Sequence, residues 1–144
     1  MDFNDERVPV GYGVAMVSRI LTATVKKNIE PLNITPAQIP FLCELLRSNA
    51  PLTQDTLSAQ LLIDPAATAR AIENLEKKGL VKRKVNPENR RQKLVSVTDK
   101  ANWMKGDFRS ALNKTIDEVL EPLEKDEQEE LSRLLTKICK YHQS

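Results

Sequence analysis

From Gly11 onward the apolar residues Val14, Val17, Ile20, Leu21 and Val25 return every three or four positions. That spacing places them on one face of a helix, predicted to run to about Ile29 and to end at Pro31. Residues Met1–Pro9 before it read as a loose arm. Thr35-Pro36 is a start signal: a hydroxyl cap, then proline at the first helical position. The helix it opens turns Ile39, Leu42, Cys43, Leu45 and Leu46 inward, and Asn49-Ala50-Pro51 breaks it. Thr53 is placed to cap a short helix, Gln54 to Leu61, with Leu57 and Leu61 facing the core. Asp64 is placed to cap another, Pro65 to Lys78, whose buried stripe is Ala71, Ile72 and Leu75. Lys77, Lys78 and Gly79 make its stop, two cations at the negative helix end and then a residue that tolerates positive φ.

After Gly79 the period falls to two. Leu80–Val85 and Gln92–Val97 alternate cations with valines, so that Val81 and Val85 share one face, as do Val95 and Val97. The intervening Asn86–Arg91 turn predicts a hairpin. Thr98 then caps a long helix from Asp99 to about Glu121, which Pro122 breaks. A last helix, about Asp126–Tyr141, carries Leu131, Leu134, Leu135 and Ile138. No internal repeat interrupts this series. The fold class is mainly α with a small β-hairpin (α+β).

Composition narrows the picture. The 144 residues suit one domain, taken as residues 1–144. With 40% hydrophobic and 29% charged residues the chain is expected to fold and stay soluble. No stretch resembles a membrane span or a signal peptide, so no membrane partner and a cytoplasmic location are expected. Cys43 and Cys139 lie far apart in apolar helical patterns and read as core thiols rather than a disulfide framework. With His142 the only histidine, no zinc site is expected, and no cofactor. No glycine-rich phosphate loop or nucleophile–base pair is visible, which argues against an enzyme.

The distribution of charge says more than its sum. Lys77 to Lys100 holds nine Lys and Arg against two acids, Glu88 and Asp99. Glu121 to Glu130 holds six acids against Lys125. A chain with a basic face and an acidic end orients on a polyanion. The two short helices are joined only by Leu62-Ile63, which forces them to cross sharply, as in a helix-turn-helix. Pro65, Ala66, Ala67, Thr68 and Arg70 at the start of the second helix are then expected to face outward, beside Asn74 and the Thr53 cap. Arg70 suits a guanine edge or a phosphate, and Ala66 and Ala67 suit only apolar contact such as a thymine methyl. Thr68 and Asn74 add polar possibilities. A charge cluster alone is usually a solvated face. Here the helix pair and the basic hairpin coincide, and together they predict a winged helix-turn-helix on nucleic acid. Direct base reading looks sparse, so phosphate contacts and DNA shape are expected to carry much of the affinity.

These residues resemble the MarR-type winged-helix transcriptional regulators over about Tyr12 to Tyr141. The most specific stretches are LTQDTLSAQLLIDPAATARAIENLEKKGLVKR and NPENRRQKLVSVTDKA. The family's wing carries an Asp-x-Arg element whose arginine enters or borders the minor groove. The matching positions are Asn89, Arg90 and Arg91, so the resemblance gives Arg91 the groove role. Asn89 stands in place of the aspartate and accepts hydrogen bonds without a charge-assisted pair. Leu62 stands where such turns often hold glycine, and Ala66 and Ala67 replace frequent hydroxyl residues.

The resemblance also implies a homodimer joined through helices 11–30 and 99–142, with 35–98 as the winged unit. The residues permit it: Ile116, Val119, Leu120, Leu123, Leu131, Leu134, Leu135 and Ile138 exceed what one small core needs. Two recognition helices would then lie about 34 Å apart on a pseudo-palindromic double-stranded DNA operator. Family members commonly repress genes and leave DNA when a small effector binds, often an aromatic or phenolic acid, or an oxidant. Tyr12, Met16, Phe41 and Trp103 are the candidate lining of such a site, and Cys43 or Cys139 the candidate oxidant sensors. The rival expectation is a winged-helix module that pairs proteins without specific DNA binding, suggested by the alanine-rich recognition face.

Overall fold

The structure, a computed structural model, describes residues 2–143. Helix α1 (Val10–Ile29) leads through a short 3-10 turn to a second, Pro36–Gln38, and then to α2 (Ile39–Ser48). Gln38 Oε1 accepts the Thr35 N–H at 3.2 Å, closing that start. Thr35-Pro36 therefore opens a 3-10 turn, and the α-helix proper begins three residues later. Asn49 ends α2 in the left-handed region, at φ 53°.

A two-residue strand, β1 (Leu52–Thr53), precedes α3 (Gln54–Leu61) and α4 (Pro65–Lys77). The caps fall where the sequence puts them. Thr53 Oγ1 accepts the Thr56 N–H at 3.0 Å, and Asp64 Oδ1 accepts the Ala67 N–H at 2.8 Å. Strands β2 (Val81–Asn86) and β3 (Asn89–Val97) complete a three-stranded antiparallel sheet in the order β1-β3-β2. β1 was not predicted, because two residues are too few to show a period. It joins the sheet by pairing Leu52 with Val95 and Thr53 with Leu94.

Helix α5 (Asp99–Val119) is capped by Thr98, and α6 (Lys125–Gln143) follows the Pro122 break. Gln128 Nε2 closes that break by donating to the Leu120 and Leu123 carbonyls at 3.2 and 3.1 Å. The core unites Ile29, Phe41, Leu42, Leu45, Leu57, Ile72, Leu75, Leu80, Val81, Val95 and Phe108. Burying each such side chain contributes about 1.5–3 kcal/mol, so this cluster fixes the winged unit.

Two apolar faces stay outside that core. α1 packs against α5, with Asn28 Nδ2 donating to Thr115 Oγ1 at 2.9 Å and Lys27 paired to Glu118 at 3.5 Å. Only Val25 and Ile29 of α1 are buried, while Val14, Val17 and Ile20 are exposed. The helical period of α1 is as expected, but most of its apolar face is not packed against the rest of the chain. α6 likewise has no buried residue, with Leu134, Leu135 and Ile138 exposed. No helix among the described residues is long and apolar enough to cross a membrane.

Candidate nucleic-acid interface

The turn between α3 and α4 is tight because Leu62 takes a left-handed backbone, φ 56° and ψ 39°. Its N–H and that of Ile63 both reach the Ser58 carbonyl, Ile63 at 3.1 Å. A leucine there carries a cost of about 1–2 kcal/mol that glycine avoids, and its side chain is 60% exposed. The sharp crossing therefore forms without the glycine expected of it.

That crossing corrects one predicted contact. Thr68 does not face outward: it is 0% exposed. Its Oγ1 donates to the Asp64 carbonyl at 3.0 Å and accepts from Ser58 Oγ at 2.8 Å. Thr68 lies one helical turn beyond the cap, on the side of α4 that α3 covers, so it ties the two helices together. Pro65, Ala66, Arg70 and Asn74 are exposed as expected, and Ala67 is half-buried. Thr53 is also half-buried, its hydroxyl engaged at the α3 cap. The free tip of α4 is thus Pro65-Ala66, with Arg70 and Asn74 along one side.

The hairpin departs from a simple turn. Val85 pairs with Lys93 and the adjacent Asn86 pairs with Asn89. Arg90, Arg91 and Gln92 consequently have no counterpart on β2. The strands reach further than predicted, the turn proper is Pro87-Glu88, and the two arginines sit in a bulge of β3. Bulges bend a strand and re-aim its side chains. Asn89 Oδ1 accepts the Arg91 N–H at 3.2 Å, and Asn86 Oδ1 accepts the Glu88 N–H at 3.1 Å. Asparagine at 89 thus retains the backbone bond an aspartate would make there, without its charge. Near the tip Val85 is exposed rather than packed, unlike Val81 at the base of the same strand.

The nine cations of Lys77–Lys100 divide into two sets. Lys78 Nζ donates to the Asn33 carbonyl and Gln38 Oε1, Lys100 Nζ donates to the Lys78 carbonyl, and Lys77 pairs with Glu73. Arg83 donates to both carboxylate oxygens of Glu76, at 3.2 and 2.9 Å. The guanidinium holds the Glu76 carboxyl below the usual carboxylate range. Lys82, Lys84, Arg90, Arg91 and Lys93 are exposed on the hairpin. A cleft of about 250 Å³ separates the start of α3 (Thr53, Gln54, Asp55) from Arg83, Arg91, Gln92 and Lys93. Gln54 Oε1, beside it, is the one buried side-chain oxygen or nitrogen without a hydrogen-bond partner among the described residues.

The four candidate effector residues are dispersed. Phe41 is 1% exposed within the core, whereas Trp103 is 84% exposed on α5. Tyr12 and Met16 lie on the exposed part of α1. Phe41 is thus a packing residue, because the inward stripe of α2 closes over it. Burial pushes the half-buried Cys43 thiol up, with Glu44 acting in the same direction, and Cys139 is exposed rather than part of the core. Among the described residues no group of histidine, cysteine and carboxylates could hold a metal.

A profile of the MarR family matches residues 34–93, the winged unit itself. Wild-type MarR from E. coli is 30% identical, over 93% of this chain and 98% of that one, with a TM-score of 0.76. A cysteine-to-serine variant of E. coli MarR, solved in complex with operator DNA, is 29% identical over 96% and 99% of the two chains, with a TM-score of 0.81. A MarR transcriptional regulator from Methanosarcina mazei Go1 is 27% identical over 92% and 94%, with a TM-score of 0.84. The profile spans the winged unit, the likeness to E. coli MarR covers nearly the whole chain, and the chain belongs to the MarR family of winged-helix transcriptional regulators.

Proposed function

We propose that the chain acts as a dimeric, sequence-specific DNA-binding regulator. It works as a repressor that leaves its operator when a small aromatic or phenolic molecule binds. The observation that carries this reading is the pairing of two exposed surfaces. The tip of α4 is open, and the wing's bulge exposes Arg90 and Arg91, while the cations nearer the helix end are engaged inside the protein. A helix N-terminus draws phosphate through its free N–H groups, and a cationic wing reaches the next groove. The E. coli MarR variant in complex with operator DNA supports the same use of the fold.

In this reading residues 35–98 engage DNA, and helices 11–30 and 99–142 join the protomers. The exposed Ile116, Leu134, Leu135 and Ile138, together with the half-buried Val119, Leu120 and Leu131, support that division. In this reading an effector sits between the joined helices and the winged unit; of the candidate residues, Tyr12, Met16 and Trp103 are exposed and so open to a ligand. Gel shift with the DNA upstream of the chain's own gene, and with palindromes selected from a random pool, tests the reading. Salt-sensitive binding is expected, because phosphate contacts release counterions. Absence of binding to every such duplex sinks it. Leu62, Pro65 and Ala66, an exposed apolar tip, favour a second reading as a protein-pairing module. That reading requires a captured partner together with no DNA affinity at low salt.

A further inference from the structure

α4 ends at Lys77 and β2 begins at Val81, so three residues join the recognition helix to the wing. Gly79 at their centre has φ 74°. This is a hinge in form: a short link turning on a left-handed glycine. Glu76 lies three residues before that glycine and Arg83 four after it. Their two hydrogen bonds, 2.9 and 3.2 Å, span the link. Among the described residues this is the one side-chain hydrogen-bonded ion pair between α4 and the hairpin. Most other ion pairs are local, joining residues two to four positions apart.

Arg83 pairs with Val95 and lines the same cleft as Arg91 and Lys93. Three cations sharing one cleft repel one another, and Glu76 neutralises the one nearest α4. We propose that Arg83 is a positioning residue: clamped to Glu76 across the Gly79 link, it locks wing and recognition helix into one rigid reading unit and takes no phosphate itself. This rests on the DNA-binding reading above and adds how its two contacting parts are coupled. Two contacts held at a fixed spacing engage as one event, whereas a wing free to swing engages separately and at a lower effective concentration. A bidentate fork fixes direction as well as distance, which a lysine in the same place does not.

The test uses full-length wild type, Glu76→Gln, Arg83→Lys and the exchanged pair Glu76→Arg with Arg83→Glu. Each is titrated by fluorescence anisotropy against the labelled duplex that wild type selects from a random pool, over a series of salt concentrations, with circular dichroism confirming fold. Glu76→Gln and Arg83→Lys are expected to weaken binding by about three- to tenfold with an unchanged salt slope. The exchanged pair is expected to recover most of that loss. A salt slope lower by about one in the exchanged pair, where position 83 has lost its positive charge, makes Arg83 a phosphate ligand and overturns the proposal. Wild-type affinity in Glu76→Gln, or a folded exchanged pair without recovery, overturns it too. If wild type itself binds no duplex, the DNA-binding reading falls and this one with it.

Discussion

At the scale of single residues, position separates side chains that composition makes alike. Arg70 stands on the open side of α4 and Arg91 in the bulge of β3. Arg91→Ala is expected to weaken binding to all duplexes about equally and to lower the salt slope by about one, read from anisotropy at several salt concentrations. Arg70→Ala is expected instead to lose discrimination at one base position, about 1–3 kcal/mol, read by comparing single-base variants of the selected duplex. Thr68 illustrates the opposite outcome. Its buried hydroxyl is doubly hydrogen-bonded, so Thr68→Val should strand Ser58 and cost about 1–3 kcal/mol in urea unfolding. A contact residue at the surface would show almost no such loss. Glu76 gives a pH signature. Its folded pKa is depressed by Arg83, so its contribution is present above the unfolded glutamate value and is lost as pH falls through the folded one. The stability difference between wild type and Glu76→Gln should therefore hold from neutral pH down to the ordinary glutamate range and shrink as the pH falls below it. Thermal melts over that range check it.

At the scale of elements, the helix pair depends on its caps and its turn. Asp64 satisfies the Ala67 N–H while Pro65 removes a donor that would otherwise be free. Asp64→Ala is expected to cost about 1 kcal/mol of unfolding free energy. It should weaken DNA binding further than stability alone explains, because the fraying turn is the tip that the proposed function sets against the duplex. Urea unfolding and anisotropy measured on the same sample separate the two effects. The wing is braced differently. Its base is held by Thr98 Oγ1 donating to the Gly79 carbonyl at 2.6 Å and by buried Val81 and Val95. Its tip has only local asparagine bonds and an exposed Val85. A rigid base with a loose tip suits an arm that must settle into a groove of variable width.

At the scale of the whole molecule, the unburied faces of α1 and α6 are the main feature left without partners in one protomer. Leu134 and Ile138 are 43% and 58% exposed there. Replacing both with lysine should leave the protomer folded while halving the mass seen by ultracentrifugation, from twice 16.3 kDa to 16.3 kDa. Affinity for a duplex carrying two half-sites should fall by on the order of 100-fold, since the second half-site contact is no longer linked to the first. Equal mass in wild type and variant would remove the dimer from the proposal. The acidic run Glu121–Glu130 fits the same layout. It gathers at the α5–α6 turn, and its carboxylates near the start of α6 favour the positive helix end.

The sequence by itself determined the series of elements and the caps between them. Helical and strand periods, hydroxyl or carboxylate caps and proline stops are local properties, and they act before any tertiary contact forms. It also determined that the charge is divided, and it located the helix-turn-helix and the basic hairpin. What it left open were matters of distance across the fold. β1 is two residues long and exists only because β3 offers an edge. Thr68 lies on the α3-facing side of α4 by a rotation that sequence spacing leaves ambiguous, since one polar residue at a stripe's edge looks the same buried or exposed. The bulge that frees Arg91 is a register between strands, and register is set by pairing. Lys78, Arg83 and Lys100 read as part of one cationic face, yet packing turned each onto an acceptor within the protein. A lysine's or arginine's partner lies wherever its long side chain reaches in space, and only the tertiary structure fixes which charges remain for DNA.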